Sequence, residues 1–440
     1  MLLFYLHVLG EHYNGDDGMY DMATLIVIGI CYHMNAAILL LECDAELMDL
    51  QEEDLDNSGY CTPCVDVTFE SFVNDDECEA KTRFTKGAIT TIIGALNQPN
   101  IVRIYFHPTQ GRYYKFMMES LVIYMLRKMS TARTHCDLVD SEFGGCSKRW
   151  AFGYKWILHL FDTTFAHLIG PTALEVWAPH FPYFAEKIRQ YIQRDKERTD
   201  RNGNPVMLGM PLQHIGPGEF NIFSAIDCTV YEICRPGSGP ANNNNGAGRR
   251  QNWYIKQRAF YDGYHRAFQA CLKILTIILT NGITAAVYGP TSGRQSDRKL
   301  LRWADFDDYL KELCEQHHNS TLYCTYGDDI FAGYWYCVRT KHKSTGDMPL
   351  TPIQEEENEN MKSVREMVEW SYAKAEQNWP MLNRKNGYKL EQDPDRVWAE
   401  IRVMYLLTNF KVCELEGSTM TGTRGFECPP PTLAEYLAMQ

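Results

Sequence analysis

The stretch Ala267–Pro290, AFQACLKILTIILTNGITAAVYGP, constrains the fold more than any other part of this chain. Two runs rich in strand formers flank Asn281-Gly282, the dipeptide that most readily supplies the positive-φ positions of a tight hairpin turn. Two antiparallel strands must therefore meet here, and the neighbouring segments have to be arranged around them. FNIFSAIDCTVYEICRP, starting at Phe220, reads as two short strands around Asp227. DRKLLRWADFDDYLKELCEQHH, from Asp297, reads as one helix. TLYCTYGDDIFAG, from Thr321, reads as a strand that finishes on glycine and two aspartates. NENMKSVREMVEWSYAKAEQNW, from Asn358, reads as a helix with Met361, Val364, Val368 and Tyr372 on its apolar stripe. The order of strands, hairpin, helix, strand and helix implies an α/β fold with a mixed sheet covered by helices.

The chain ahead of this block has a different texture. KFMMESLVIYMLRKMS, from Lys115, is expected to be one amphipathic helical run, and Thr134–Gly170 reads as helix, Gly-Gly turn, helix. Ser147 can cap the second of these helices, with Lys148 and Arg149 in its first turn. Such a pair is a DNA-binding unit in some proteins and plain packing in many more. A polar linker lies around Asp200–Pro205. The 440 residues accordingly divide into an acidic N-terminal region, helical or partly disordered (1–100), a helix-turn-helix-like region (101–205) and an α/β domain (206–440).

Charge separates these regions. The net charge of −13 excludes a uniformly basic nucleic-acid binder, but residues 1–80 hold 18 Asp/Glu and no Lys or Arg, so the remainder is net positive at +5. Between Arg235 and Arg302 eleven Lys/Arg face only Asp262 and Asp297. A run of that kind is either a solvated face or a phosphate-contacting surface inside an acidic molecule. Its candidate contact residues are Arg235, Arg249, Arg250, Lys256, Arg258, Arg266, Arg294 and Arg298, on both sides of a low-complexity Asn/Gly stretch, ANNNNGAGRRQN.

The fifteen scattered cysteines lack framework spacing and fit reduced thiols, and Cys61 and Cys64 have no second ligand pair for zinc. Ala23–Leu41 has the length of a membrane span. It contains Tyr32, His33 and Asn35 and has no flanking Lys or Arg to orient it, so it reads as a buried or partner-facing helix and no membrane partner is expected.

Four acids fall at element ends: Asp227 after the first strand, Asp297 after the hairpin, Asp328 at the end of its strand, and Glu369 on the last helix, one turn beyond Arg365. Converging carboxylates repel one another unless a cation neutralises them. Mg²⁺ or Mn²⁺ prefers such hard oxygen ligands, and two such ions about 4 Å apart suit phosphodiester cleavage.

AIDCTVYEICRPG, YDGYHRAFQA, VYGPTSGRQSD, YGDDIFAG, VREMVEWSY, YLLTNF and PPPTLAEYL occur in that order over residues 220–440. With them the chain resembles the DDE-superfamily endonucleases of PIF/Harbinger-type transposases and the nucleases derived from them, and SEFGGCSKRW is similar to that family's helix-turn-helix. The resemblance implies an RNase H-like fold in which Asp227, Asp328 and Glu369 are the catalytic triad, Asp297 is a fourth metal ligand, and Asp329 is turn chemistry. It implies two divalent ions, DNA as substrate, strand transfer by the freed 3′-hydroxyl, a Myb-like DNA-binding partner protein and a nuclear location, while the residues leave open whether the chain forms a homo-oligomer. The chain departs from the family at Ser296, where a histidine is usual, at His265, and in the missing Tyr-Pro after Asp328. The other reading is a domesticated, catalytically silent scaffold.

Overall fold

The computed structural model describes residues 66–107, 112–196, 221–233, 271–331, 338–339, 341–344, 349–383, 394–417 and 426–439. In chain order the elements are α1 (Asp75–Thr82), α2 (Lys86–Leu96), β1 (Ile101–His107), β2 (Arg112–Met117), α3 (Met118–Thr131), α4 (Ser147–Thr164) and α5 (Phe181–Lys196). They continue as β3 (Asn221–Glu232), β4 (Cys271–Leu279), β5 (Thr284–Ser292), α6 (Asp297–Trp303), α7 (Phe306–His318), β6 (Tyr323–Tyr326), β7 (Val338–Arg339), α8 (Pro352–Asn378), α9 (Pro394–Glu414) and α10 (Leu433–Ala438), with short helical turns between. Ala23–Leu41, the Cys61/Cys64 pair, the linker around Asp200–Pro205 and the Asn/Gly stretch lie outside the described residues. No helix among the described residues is long and apolar enough to cross a membrane.

The chain forms two compact units. The first comprises Met1–Ser71, Gln98–Met125 and Arg133–Ile157. In it β1 and β2 make an antiparallel ribbon that pairs Ile101 with Met117 and Arg103 with Lys115. This ribbon corrects the expectation of a purely helical region: Lys115–Met117 end β2, and the helix starts only at Met118. Alternation wins over helical period there, because Val102, Ile104 and Phe116 are buried while Arg103, Tyr105, Tyr113 and Lys115 face solvent. The ribbon's inner face meets an aromatic core in which Tyr124 stacks on Trp150 at 4.6 Å and Phe143 lies edge-on to both. The Gly-Gly turn stands as expected. Gly144 and Gly145 have φ of 61° and 78°, and α4 begins at Ser147 with Lys148 and Arg149 in its first turn.

The second unit comprises Phe72–Asn97, Leu126–Ala132 and Leu158–Gln440. Its five-stranded mixed sheet has the order β5-β4-β3-β6-β7, with β3, β4 and β5 antiparallel and β6 and β7 parallel to β3. The hairpin forms as the sequence requires, Gly282 taking φ 86° at the turn. β4 and β5 are buried along almost their whole length, as strands covered on both faces must be. The stretch around Asp227 is one twelve-residue strand and not two, because β4 pairs with it continuously from Ser224–Leu279 to Glu232–Cys271. The expected single helix after Asp297 is broken in two at Asp305, whose φ is 49°. α8 starts six residues before Asn358, under a capping box formed by Thr351 and Gln354, and α9 and α10 follow it, so Glu369 is not on the last helix.

Two of the C-terminal motifs brace the sheet. The Asn409 side-chain oxygen accepts the Thr284 N–H at 2.8 Å, while its amide donates to the Thr284 carbonyl and to the Tyr436 hydroxyl, both at 2.9 Å. The end of β5 is thereby satisfied by a side chain where no further strand pairs with it. Lys411 joins Glu79 at 2.6 Å and Glu414 at 2.7 Å, tying α1 to α9.

Candidate active site

The site follows from where pairing stops. The parallel ladder between β3 and β6 ends at Ala225–Tyr326. Asp227 lies two residues past that pair on one strand, and Asp328 lies two residues past it on the other. Adjacent parallel strands so deliver two carboxylates at the same edge. Asp227 is not at a strand end, since β3 runs on with Thr276 as its antiparallel partner. Only the β6 side of β3 is open there.

The other two acids arrive on helices. Asp297 is the first residue of α6, whose N-cap is Ser296; the Ser296 hydroxyl accepts the Lys299 N–H at 3.3 Å. The serine that departs from the family pattern therefore has a capping role. Asp297 also receives the Lys273 ammonium at 2.6 Å. Glu369 lies on α8, whose apolar stripe of Met361, Val364, Val368 and the neighbouring Met367 is buried. One turn earlier, Arg365 donates to Asp328 Oδ1 at 3.3 Å and to Glu369 Oε1 at 3.2 Å, linking these two acids through one guanidinium.

Electrostatics couples the group. Burial, joined by the charges of Asp297 and Asp328, pushes the Asp227 carboxyl up to about 6, against the pull of the Cys228 N–H and of Arg365. The Asp227 carboxylate accepts that N–H at 2.8 Å, and its own carbonyl oxygen accepts the Tyr372 hydroxyl at 2.8 Å. Tyr372 also shares a 2.6 Å hydrogen bond with Thr276, and burial raises its hydroxyl far above the ordinary phenol range. It is a fixed strut between α8 and the strands, and it never ionises near neutrality. Asp329, expected to serve the turn, does donate its N–H to Asp328 Oδ1 at 2.7 Å. Its own carboxylate pairs with Lys341 at 2.9 Å and Lys343 at 3.3 Å.

Residues 226–409 match the family described as DDE superfamily endonuclease. That span contains all four acids, and the domain is a mixed α/β structure of the RNase H-like kind that this family uses. No curated protein and no solved structure matches the chain. The endonuclease match supports a nuclease- or transposase-like activity.

Of the predicted DNA-contacting residues, Arg294 and Arg298 are exposed at the junction of β5 and α6. Arg235, Arg249, Arg250, Lys256, Arg258 and Arg266 lie outside the described residues. Sequence reasoning assigned no role to Lys273, Lys341 or Lys343. The first had a visible signal: it is the only charge in the apolar run CLKILTIIL. The two later lysines had none, because only the fold brings them to Asp329.

The donor set suits a hard divalent cation, since Asp227, Asp297, Asp328 and Glu369 offer carboxylate oxygens alone. Asp227 carries charge that its neighbours do not fully offset, and Asp329 Oδ1 is buried without a hydrogen-bond partner. Among the described residues, no three His, Cys, Asp or Glu side chains stand close enough to hold an ion. Arg365 occupies the place between Asp328 and Glu369, and Lys273 holds Asp297. The residues thus fit a cation by chemistry and edge position, provided that the guanidinium gives way to it.

Proposed function

We propose that this chain is a metal-dependent DNA endonuclease of the PIF/Harbinger transposase type. The observation that supports it is the delivery of Asp227 and Asp328 to one sheet edge, each two residues past the last β3–β6 pair, with Glu369 joined to Asp328 through Arg365. Asp227, Asp328 and Glu369 are the proposed catalytic carboxylates, with Asp297 as a further ligand. Mg²⁺ or Mn²⁺, as one ion or two, would supply Lewis-acid activation of water and stabilisation of the leaving oxygen. The protein's own share is positional. β3 and β6 fix two carboxylates on rigid strands, Tyr372 locks α8 against β3, and Arg294 and Arg298 hold phosphates. In the net reaction water oxygen bonds to phosphorus, the P–O3′ bond breaks, and the 3′ oxygen leaves with a proton. Attack of that hydroxyl on a second DNA, a Myb-like partner, self-association and a nuclear site of action belong to the same reading.

Plasmid nicking with Mg²⁺ or Mn²⁺ is the test: the parent converts supercoiled to open-circular DNA, and Asp227→Ala reduces the rate at least about a hundredfold. A variant that nicks as fast as the parent removes the assignment. A second reading, the catalytically silent scaffold, is favoured by one observation: Lys273 and Arg365 already pair with three of the four acids. Calorimetric titration separates the two, because a scaffold of this kind takes up no Mn²⁺.

A further inference from the structure

We propose that the outward face of the β1–β2 ribbon binds unpaired DNA, through phosphate contacts and base stacking. The ribbon belongs to the first compact unit and has two chemically distinct faces. Inward, Val102, Ile104 and Phe116 are buried, and Phe116 packs 5.4 Å from Trp150. Outward, Arg103 stands directly opposite Lys115, and Tyr105 directly opposite Tyr113.

Folding alone does not account for that outward face. Like charges directly opposite across a ladder destabilise the pair. Neither Arg103 nor Lys115 has a carboxylate partner among the described residues, and the sequence holds no Asp or Glu from Lys81 through Met118. The two tyrosines are 52% and 41% exposed, although the inner face shows that this segment can bury aromatic rings. Their centroids are 5.5 Å apart at a tilt of 60°, and the Arg103 guanidinium lies 5.1 Å from the Tyr113 ring. Behind the ribbon, Arg149 of α4 donates to the Lys115 carbonyl at 2.6 Å and lies over Phe116 at 4.6 Å, so β2 has a rigid support.

Two cations and two exposed rings on a stiff, acid-free ribbon complement a strand that presents both phosphates and free base faces. Paired bases hide their faces in the duplex stack, so the tyrosines favour unpaired nucleotides. The choice of DNA over RNA rests on the function proposed above. The surface itself does not depend on the carboxylate site.

The test is fluorescence anisotropy of a labelled oligo-dT with the full-length protein, alongside the same-length duplex, oligo-rU and heparin. Tyr105→Ala/Tyr113→Ala is expected to weaken oligo-dT binding at least about tenfold, and Tyr105→Phe/Tyr113→Phe to restore it, since stacking needs the ring alone. Arg103→Gln/Lys115→Gln is expected to flatten the salt dependence by about 1.4 log units per log unit of salt. A circular dichroism melt of each variant reports whether it is folded. A change below about twofold in the folded alanine variant overturns the inference. So does an equal loss of heparin binding, which would leave charge without stacking, or a loss confined to duplex or to oligo-rU. Because nicking is not the readout, an Asp227→Ala protein that nicks as fast as the parent and still binds oligo-dT through the tyrosines would sink the endonuclease and keep the ribbon.

Discussion

Replacing Asp227 with Asn should stabilise the protein above neutrality while abolishing its proposed activity, and the size of the gain follows from the site. Folding moves this carboxyl from an ordinary value of 3.8 up to about 6, because burial and two neighbouring carboxylates oppose its charge. The native state therefore holds the Asp227 proton more tightly than the unfolded state does. Between those two values stability falls as pH rises, and the loss is complete above the upper one. At about 1.4 kcal/mol per pKa unit, the ionised carboxylate costs about 3 kcal/mol at about pH 8 and about 1 kcal/mol at about pH 4.5. Asn keeps the oxygen that accepts the Cys228 N–H at 2.8 Å and carries no charge. The difference between parent and variant should therefore grow by about 2 kcal/mol across that interval. Urea denaturation at both pH values, followed by circular dichroism, measures it directly. Other titrating groups act on both proteins and cancel. An advantage for the variant that is the same at both pH values, or absent at the higher one, would refute the upward shift of the Asp227 carboxyl on folding. Adding Mn²⁺ should then narrow the gap at high pH, since an ion bound by the parent alone stabilises it by mass action.

Arg365→Gln removes the cation between Asp328 and Glu369. Calorimetry should find Mn²⁺ binding strengthened by about three- to tenfold, the effect of one exposed charge at this range. Gly153→Ala places a Cβ 2.7 Å from Leu121 Cδ2 and 3.0 Å from the Phe116 ring, and should cost about 1–3 kcal/mol in thermal unfolding. Asn409→Ala strands the N–H and carbonyl of Thr284 and removes a donor from the Tyr436 hydroxyl, which keeps its bond to the Leu168 carbonyl; it should lower stability by about 2–4 kcal/mol, with Asn409→Asp no better because the acid cannot donate to the carbonyl. Tyr372→Phe loses one donor to the Asp227 carbonyl and should cost about 1–2 kcal/mol with nicking reduced more than binding, read as a change in kcat at unaltered KM.

What the sequence made legible is what depends on local period and local turns. The Asn281-Gly282 hairpin, the Gly144-Gly145 turn and the buried stripe of α8 each rest on a signal confined to a few residues, and each stands where it was expected. The misreadings share a different cause. Lys115–Met117 joined a helical pattern because a strand that flows directly into a helix leaves no breaker between them. Asp227 reads as a strand end in the sequence because an acid in an apolar run looks like a terminus. In the structure β3 continues, since β4 pairs with it long after β6 has stopped. That difference carries chemical weight. A carboxylate within a continuous strand cannot swing away from its neighbours as one on a loose end can, so its repulsion by Asp297 and Asp328 is built into the backbone. The basic partners were the least legible, because Lys273 and Arg365 reach the acids only through sheet register and helix placement. Their presence gives three of the four acids a defined cationic partner. Asp297 is paired with Lys273, and Asp328 and Glu369 share Arg365, so a divalent ion of the kind proposed above would have to compete with a tethered guanidinium. On the function proposed above, occupancy would depend on how readily Arg365 finds another anion, and a phosphodiester substrate would supply one.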